Sequence, residues 1–250
     1  MRMILSPAKK MVREEDVPYR DLPRFLDSTQ QLLEELRRKP YEELKKIWNC
    51  SDAIVMENLE RLETMDLRGN LGPAVLSYEG IAFQYMAPGV FTEEQADYIQ
   101  EHLRILSGFY GVLRPMDGVT PYRLEMGAKF SVDGRKDLYR YWGSRLADSL
   151  CEETDFIVNL ASKEYSKAVL PQLKGRARVL ECSFVQQKKG KLVEQSTACK
   201  MARGEMVRFM AENRITAPRE LQAFSRQDYR YSPEHSTEEK FVFIKEEHHA

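Results

Sequence analysis

Phe156-Ile-Val-Asn-Leu160 is the clearest buried strand in this chain, and it constrains the fold more than any other stretch. An apolar run this short, closed by Ala161-Ser162, fits a strand covered on both faces, the kind found in sheets sandwiched between helices. Arg2 to Leu5 repeats the pattern, and Pro7 ends it because proline has no amide hydrogen for a sheet ladder. Phe109 to Leu113 reads as extended until Pro115 turns the chain after Arg114. Ala74 to Tyr78, bounded by Gly72-Pro73 and Gly80, is expected to be another strand. Arg178 to Val185 and Leu192 to Ser196 form a predicted hairpin around Lys188-Lys-Gly-Lys191, and Phe241 to Ile244 is a last strand.

Helical periodicity fills the intervals. Leu22 to Arg38 places Phe25, Leu26, Leu32, Leu33 and Leu36 at helical spacing, and Tyr41 to Trp48 and Asp52 to Met65 continue it around a break at Asn49-Cys-Ser51, with Ser51 suited to cap. Thr92 opens a helix with capping-box spacing to Gln95, expected to run through His102 to about Ser107. Asp137 to Leu150 is amphipathic, Ser162 is placed to cap a helix that Pro171 ends, Thr197 to Asn213 is helical, and Pro218 starts a short helix. Interleaved strands and helices without a linker or repeat predict one mixed α/β (α+β) domain over residues 1 to 250, built on a mostly buried mixed sheet, with a polar tail from about residue 245.

At 42% hydrophobic and 31% charged residues the chain is too apolar for disorder. Its net charge of -1 means that any anion site is local. The N-terminus has three consecutive apolar residues, and nothing approaches the roughly 20 needed to span a bilayer, so a cytoplasmic protein without membrane contact is expected. Cys50, Cys151, Cys182 and Cys199 are widely spaced and His102 is the one histidine in an ordered-looking segment, so no metal site is expected. Cys199, beside Lys200, is the one thiol with a neighbour that favours a lowered pKa.

Three strands release a basic residue near their ends: Leu5 to Lys9, Leu113 to Arg114, and Leu160 to Lys163. Ligands of open α/β sheets settle outside the carboxyl ends of strands, so these turns are candidates for one anion crevice, with the start of the helix after Leu160 adding its dipole. Separate solvated side chains account for the spacing equally well. Lys163 to Arg203 holds ten Lys and Arg against three acidic residues, a net of +7, which suits a phosphate backbone or simply a solvated face. Within it Lys200 and Arg203 share a helix face, and Arg208 follows about a turn later as part of an expected basic ridge. Two stretches are candidates for a helix-hairpin-helix element: Leu103 to Leu113, with Gly108 and Gly111 in the turn, and Tyr41 to Met65, which lacks those glycines. No nucleotide-binding P-loop, serine-hydrolase elbow or zinc-protease motif is present.

Several blocks then add up: Leu5-Ser-Pro-Ala-Lys9, His102 to Pro115, Pro121-Tyr-Arg-Leu-Glu-Met-Gly127, Lys136-Asp-Leu-Tyr139, Asn159-Leu-Ala-Ser162 and Ala202-Arg-Gly204. In this order, from Met1 to about Ile215, the chain resembles the bacterial YaaA family of peroxide-stress proteins. The resemblance implies a cytosolic protein that limits oxidative damage, is associated with lowered intracellular iron, and binds double-stranded DNA through a basic cleft and a helix-hairpin-helix element, without a cofactor. Some members are recruited to biosynthetic chemistry, which keeps an enzymatic reading alive. One departure is Glu79-Gly80, where many relatives carry a polar or basic residue before the glycine.

Two functions follow as expectations. In the first, Lys9, Lys10, Arg104, Arg114, Arg123, Lys163, Lys167, Lys200, Arg203 and Arg208 contact DNA phosphates without regard to sequence. In the second, an enzyme or binder holds a phosphate-bearing small molecule in a pocket of Ser6, Tyr122, Glu125, Asn159 and Ser162, with Glu125 the candidate acid or base. Shape separates them: a duplex needs an open groove about 20 Å across, and a metabolite a pocket of about 300 to 1,000 Å³.

Overall fold

Phe156–Asn159 lies near the middle of an eight-stranded sheet in the computed structural model, which describes residues 1–246. The polar tail beyond, with His248 and His249, falls outside the described residues. In chain order the strands are β1 (Arg2–Leu5), β2 (Leu103–Ser107), β3 (Gly111–Leu113), β4 (Phe156–Asn159), β5 (Arg178–Lys188), β6 (Lys191–Val193), β7 (Tyr229–Tyr231) and β8 (Lys240–Lys245). Their spatial order is β7-β8-β5-β4-β1-β2-β3, with β6 paired to β5. The inner pairs are parallel, Met3 standing opposite both Leu103 and Val158, while β3, β6 and β7 are antiparallel additions. Met3, Ile4, Leu103, Ile105, Ile157 and Val158 have no exposed surface, because helices cover both faces.

The helices are α1 (Leu26–Arg37), α2 (Tyr41–Trp48), α3 (Asp52–Thr64), α4 (Ala74–Ser77), α5 (Ile81–Met86), α6 (Glu93–His102), α7 (Leu138–Trp142), α8 (Arg145–Glu153), α9 (Lys163–Ser166), α10 (Leu170–Leu173) and α11 (Ser196–Glu212). Thr92 and Gln95 close the expected capping box on α6, with Gln95 N–H donating to Thr92 Oγ1 at 3.3 Å. Ser51 occupies the cap position of α3 but makes no side-chain capping bond. Long α11 packs against short α5 so closely that a Cβ at Gly204 would run into the Ala82 carbonyl.

Four local expectations are corrected. Helix α6 ends at His102, and Leu103–Ser107 is strand β2, since a contiguous apolar run gains more from parallel pairing beside β1 than from another helical turn. Ala74–Ser77 is a helical turn, fixed by Ala74 and Val75 N–H groups donating to Asp117 and Pro115 carbonyls, and only Gly72–Pro73 and Tyr78–Glu79 pair as short strands. Gly143, at φ 55°, splits the helix expected over Asp137 to Leu150 into α7 and α8. Pro171 opens α10, where its missing amide costs nothing, instead of ending a helix.

Leu103 to Leu113 is consequently a β-hairpin, not a helix-hairpin-helix: β2 and β3 pair antiparallel, and Ser107 Oγ accepts the Phe109 and Tyr110 amides in the turn. The second candidate, Tyr41 to Met65, is a pair of helices joined through Asn49 in the left-handed region at φ 44°.

Candidate functional site

Strands β1 and β4 are parallel neighbours, so the loops that follow them leave the sheet at the same edge. Ser162 N–H donates to Ser6 Oγ at 2.8 Å, and the Ser6 hydroxyl donates to Ser162 Oγ at 3.1 Å, tying the two loops together. Above them opens a cavity of about 390 Å³. Its floor is Leu5 to Lys10 with Leu160 and Ser162; Glu79 to Phe83 form one wall, Glu125, Glu164 and Tyr165 another, and Lys200 and Arg203 reach in from α11.

The cations around this cavity differ in what holds them. Lys9 pairs with Glu125 at 2.6 Å, Arg123 reaches the same carboxylate at 3.2 Å, and Lys10 pairs with Glu79 at 2.8 Å. Lys200 and Arg203 make no ion pair among the described residues. Arg203 is half-buried, and its Nε is sealed from solvent with no hydrogen-bond partner. A buried donor left unpaired costs about 1 to 3 kcal/mol, more on a charged group. Apolar walls with a few convergent charged groups are the composition of a small-molecule site.

Residues 1–235 match the family model described as peroxide stress protein YaaA. The chain belongs to this family. It is 53% identical over 248 residues to a UPF0246 protein of Lachnoclostridium phytofermentans, covering 99% of this chain and 97% of that protein. A UPF0246 protein of Pediococcus pentosaceus is 47% identical over 250 residues, the full length of both, and one of Lactiplantibacillus plantarum is 46% identical over 245 residues, 98% of this chain and 99% of the relative. Every residue that lines the cavity lies inside the YaaA match.

Within this YaaA chain the residues singled out from sequence fall into three groups. Ser6, Lys9, Lys10, Glu125, Ser162, Lys200 and Arg203 come together at the cavity, with Arg123 behind Glu125, donating also to the Trp48 carbonyl at 3.4 Å. Arg114 and Arg104 are at the opposite end of the sheet. Strand β3 runs antiparallel to β2, so the end of β3 points away from the ends of β1 and β4, and the expected three-way crevice keeps two of its turns but, of their basic residues, only Lys9. Arg104, 3% exposed, donates to Glu153 through Nε at 2.8 Å and through its second terminal nitrogen, so it is a structural clasp and not an accessible phosphate contact. Burial raises Glu153, yet the Arg104 hydrogen bond and charge hold it below the usual carboxylate range.

The third group sits near the cavity without lining it. Tyr122 is buried, its hydroxyl 2.6 Å from Ser107 Oγ and 2.8 Å from Tyr78 OH, and burial pushes its pKa to about 12. Asn159 is 5% exposed and turns its Oδ1 to the Ala161 amide, shaping the loop instead of facing a ligand. Lys163 is exposed, Lys167 covers the Tyr139 ring at 4.9 Å, and α9 is a single turn whose cap residue Ser162 already gives its amide to Ser6, which removes the expected dipole site. Arg208 lies five residues after Arg203, well off its helix face, and pairs with Glu212 at 2.7 Å, so the basic ridge stops at Arg203. Burial raises the Cys199 thiol, which donates to the Phe184 carbonyl at 3.0 Å, in place of the lowering expected from Lys200.

Sequence reasoning missed Glu79 to Phe83, Glu164 and Tyr165. Gly80 carried the one available signal: a Cβ there would lie 2.7 Å from the Ala8 side chain, so a glycine marks where the Glu79 loop crosses the Ser6 to Lys9 loop. Among the described residues no helix is long and apolar enough to cross a membrane, and no group of three or more His, Cys, Asp or Glu is placed to hold a metal.

Proposed function

We propose that this YaaA-family chain acts in the cytosol during peroxide stress by holding a compact phosphate-bearing molecule in the cavity at the ends of β1 and β4. The observation that carries this reading is the contrast around the cavity: Lys9 and Lys10 are held by carboxylates, while Lys200 and Arg203 face apolar walls unpaired, Arg203 with a buried unpartnered Nε. A volume of about 390 Å³ supports a metabolite, because it falls within the usual small-molecule range of about 300 to 1,000 Å³. Glu125, fixed between Lys9 and Arg123, is the group positioned to move a proton if the bound molecule reacts.

Thermal melting against a panel of nucleotides and sugar phosphates tests the reading, since a ligand at 100 times its Kd stabilises by about 2.7 kcal/mol. At least one compound raises the melting temperature by several degrees, and Lys200→Ala with Arg203→Ala abolishes the shift. No shift from any phosphate ester at millimolar concentration overturns it.

A second reading, DNA binding that limits iron-dependent damage, is favoured by the exposed lysines 163, 188, 189 and 191, which make no ion pair among the described residues. Strand β5 runs parallel to β4, so the β5-β6 turn carries three of these lysines out from the cavity's edge of the sheet. Gel shifts of a duplex at two salt concentrations decide it. Affinity falls with a slope near -0.9 per phosphate contacted and drops in Lys9→Ala and Arg203→Ala, and absence of a low-salt complex removes this reading.

A further inference from the structure

A second cavity of about 350 Å³ lies beside the first and shares three residues with it: Lys9, Glu125 and Glu164. The Lys9–Glu125 ion pair stands between the two spaces as a partition. The far side is built from the end of α2, with Lys46 and Trp48, and from the loop carrying Gly127 to Lys129.

The charges in the second cavity are unevenly satisfied. Glu125 is held by Lys9 and Arg123, whereas Glu164 accepts the Gly127 amide at 2.8 Å and makes no ion pair among the described residues. Lys45 is bound to Asp52 at 2.5 Å, whereas its neighbour Lys46 is exposed and makes no ion pair among the described residues. Lys129 is likewise exposed and unpaired there, and it approaches from a different segment. Each cavity therefore has two cations without an ion pair among the described residues, Lys200 and Arg203 in the first and Lys46 and Lys129 in the second. The first also has apolar lining from Leu160, Phe83 and Tyr165, and the partition is common to both. The partition is no barrier: the Lys9 side chain is 66% exposed, and a flexible ammonium can turn from Glu125 to a passing phosphate.

We infer that the ligand carries two separated phosphate groups, as nucleoside bisphosphates do on their ribose, with one phosphate in each cavity. The inference rests on the reading that the first cavity holds a phosphate-bearing molecule.

Titration calorimetry with adenosine 3′,5′-bisphosphate, adenosine 5′-monophosphate and inorganic phosphate tests it, on wild type and on the Lys46→Ala, Lys129→Ala double variant. The wild type binds the bisphosphate about tenfold or more tighter than the monophosphate at equal ionic strength, the gain from one additional set of charge-assisted contacts. The double variant binds both nucleotides alike with the monophosphate affinity unchanged, and Lys46→Arg with Lys129→Arg restores the difference. Equal affinities in the wild type overturn the two-phosphate inference while leaving the single-phosphate reading standing. Retention of the full preference in the double alanine variant assigns it elsewhere and also overturns the inference. If none of the three probes binds, both readings fall for this ligand class.

Discussion

The two ends of the central sheet differ in how far their cations are matched by carboxylates. At the amino ends of the parallel strands, Arg104 and Arg2 close on Glu153 and Arg24 pairs with Glu152 at 2.5 Å, while exposed Arg114 gives only its backbone amide to Asp117 at 2.8 Å and makes no ion pair among the described residues. At the carboxyl ends, Lys200, Arg203, Lys46 and Lys129 have no carboxylate partner among the described residues, although Glu79, Glu125 and Glu164 stand nearby, the first two paired with Lys10 and Lys9 and the third accepting the Gly127 amide. Charge of one sign is thus stabilising where it is matched and available where it is not. The end of the molecule with more of this spare charge, Lys200, Arg203, Lys46 and Lys129 against Arg114, is the one where α/β sheets place ligands.

Three substitutions test this division. Arg104→Ala strips Glu153 of its main partner and leaves Arg2 at 3.3 Å, so it destabilises by about 3 kcal/mol, the low end for breaking a buried pair. Urea denaturation measures this, and phosphate-ester binding at the other end stays intact. A loss under about 1 kcal/mol means the clasp is no clasp.

Burial pushes the Asp117 carboxyl up to about 7 against its ordinary value of 3.8. Its folded-state pKa exceeds the unfolded one, so the folded state holds the proton longer and stability falls as pH rises from about 4 to about 7. Asp117→Asn removes that decline. Relative to wild type, the variant gains on the order of 1 to 3 kcal/mol between pH 5 and pH 8, read from denaturation midpoints at each pH. Parallel pH profiles for the two proteins refute the assignment.

The smallest loss of stability belongs to Arg203→Met. With no bond to lose at Nε and an unpaired buried donor removed, the variant is at least as stable as wild type while ligand binding disappears. A large drop in melting temperature places Arg203 with the clasps and breaks the contrast between the ends.

Much of the sheet was legible because β1, β4, the β5-β6 hairpin and β8 are apolar runs of strand length with clear breakers. Leu103–Ser107 was not, because its apolar residues satisfy a helix period as well as buried strand pairing, and only the neighbouring β1 decides between them. Lys9, Ser6, Ser162 and Arg203 were readable from position after strands or on a helix face. Arg104 was misplaced because its segment was expected to be helix and is strand β2, and Arg114 because the direction of β3 is a property of its turn, which a count of strand ends does not contain. Glu79 and Glu164 were invisible for a related reason: a carboxylate's role here depends on which lysine or amide it meets across the fold.

Gly204 has one more consequence. Where α11 meets α5, backbone touches backbone, so the span between Arg203 and the Ile81 to Phe83 wall is set by main-chain contact and not by side chains that can swing aside. On the proposed ligand-binding reading, the cavity is a calliper with a locked jaw that grades molecules by thickness before any charge is felt.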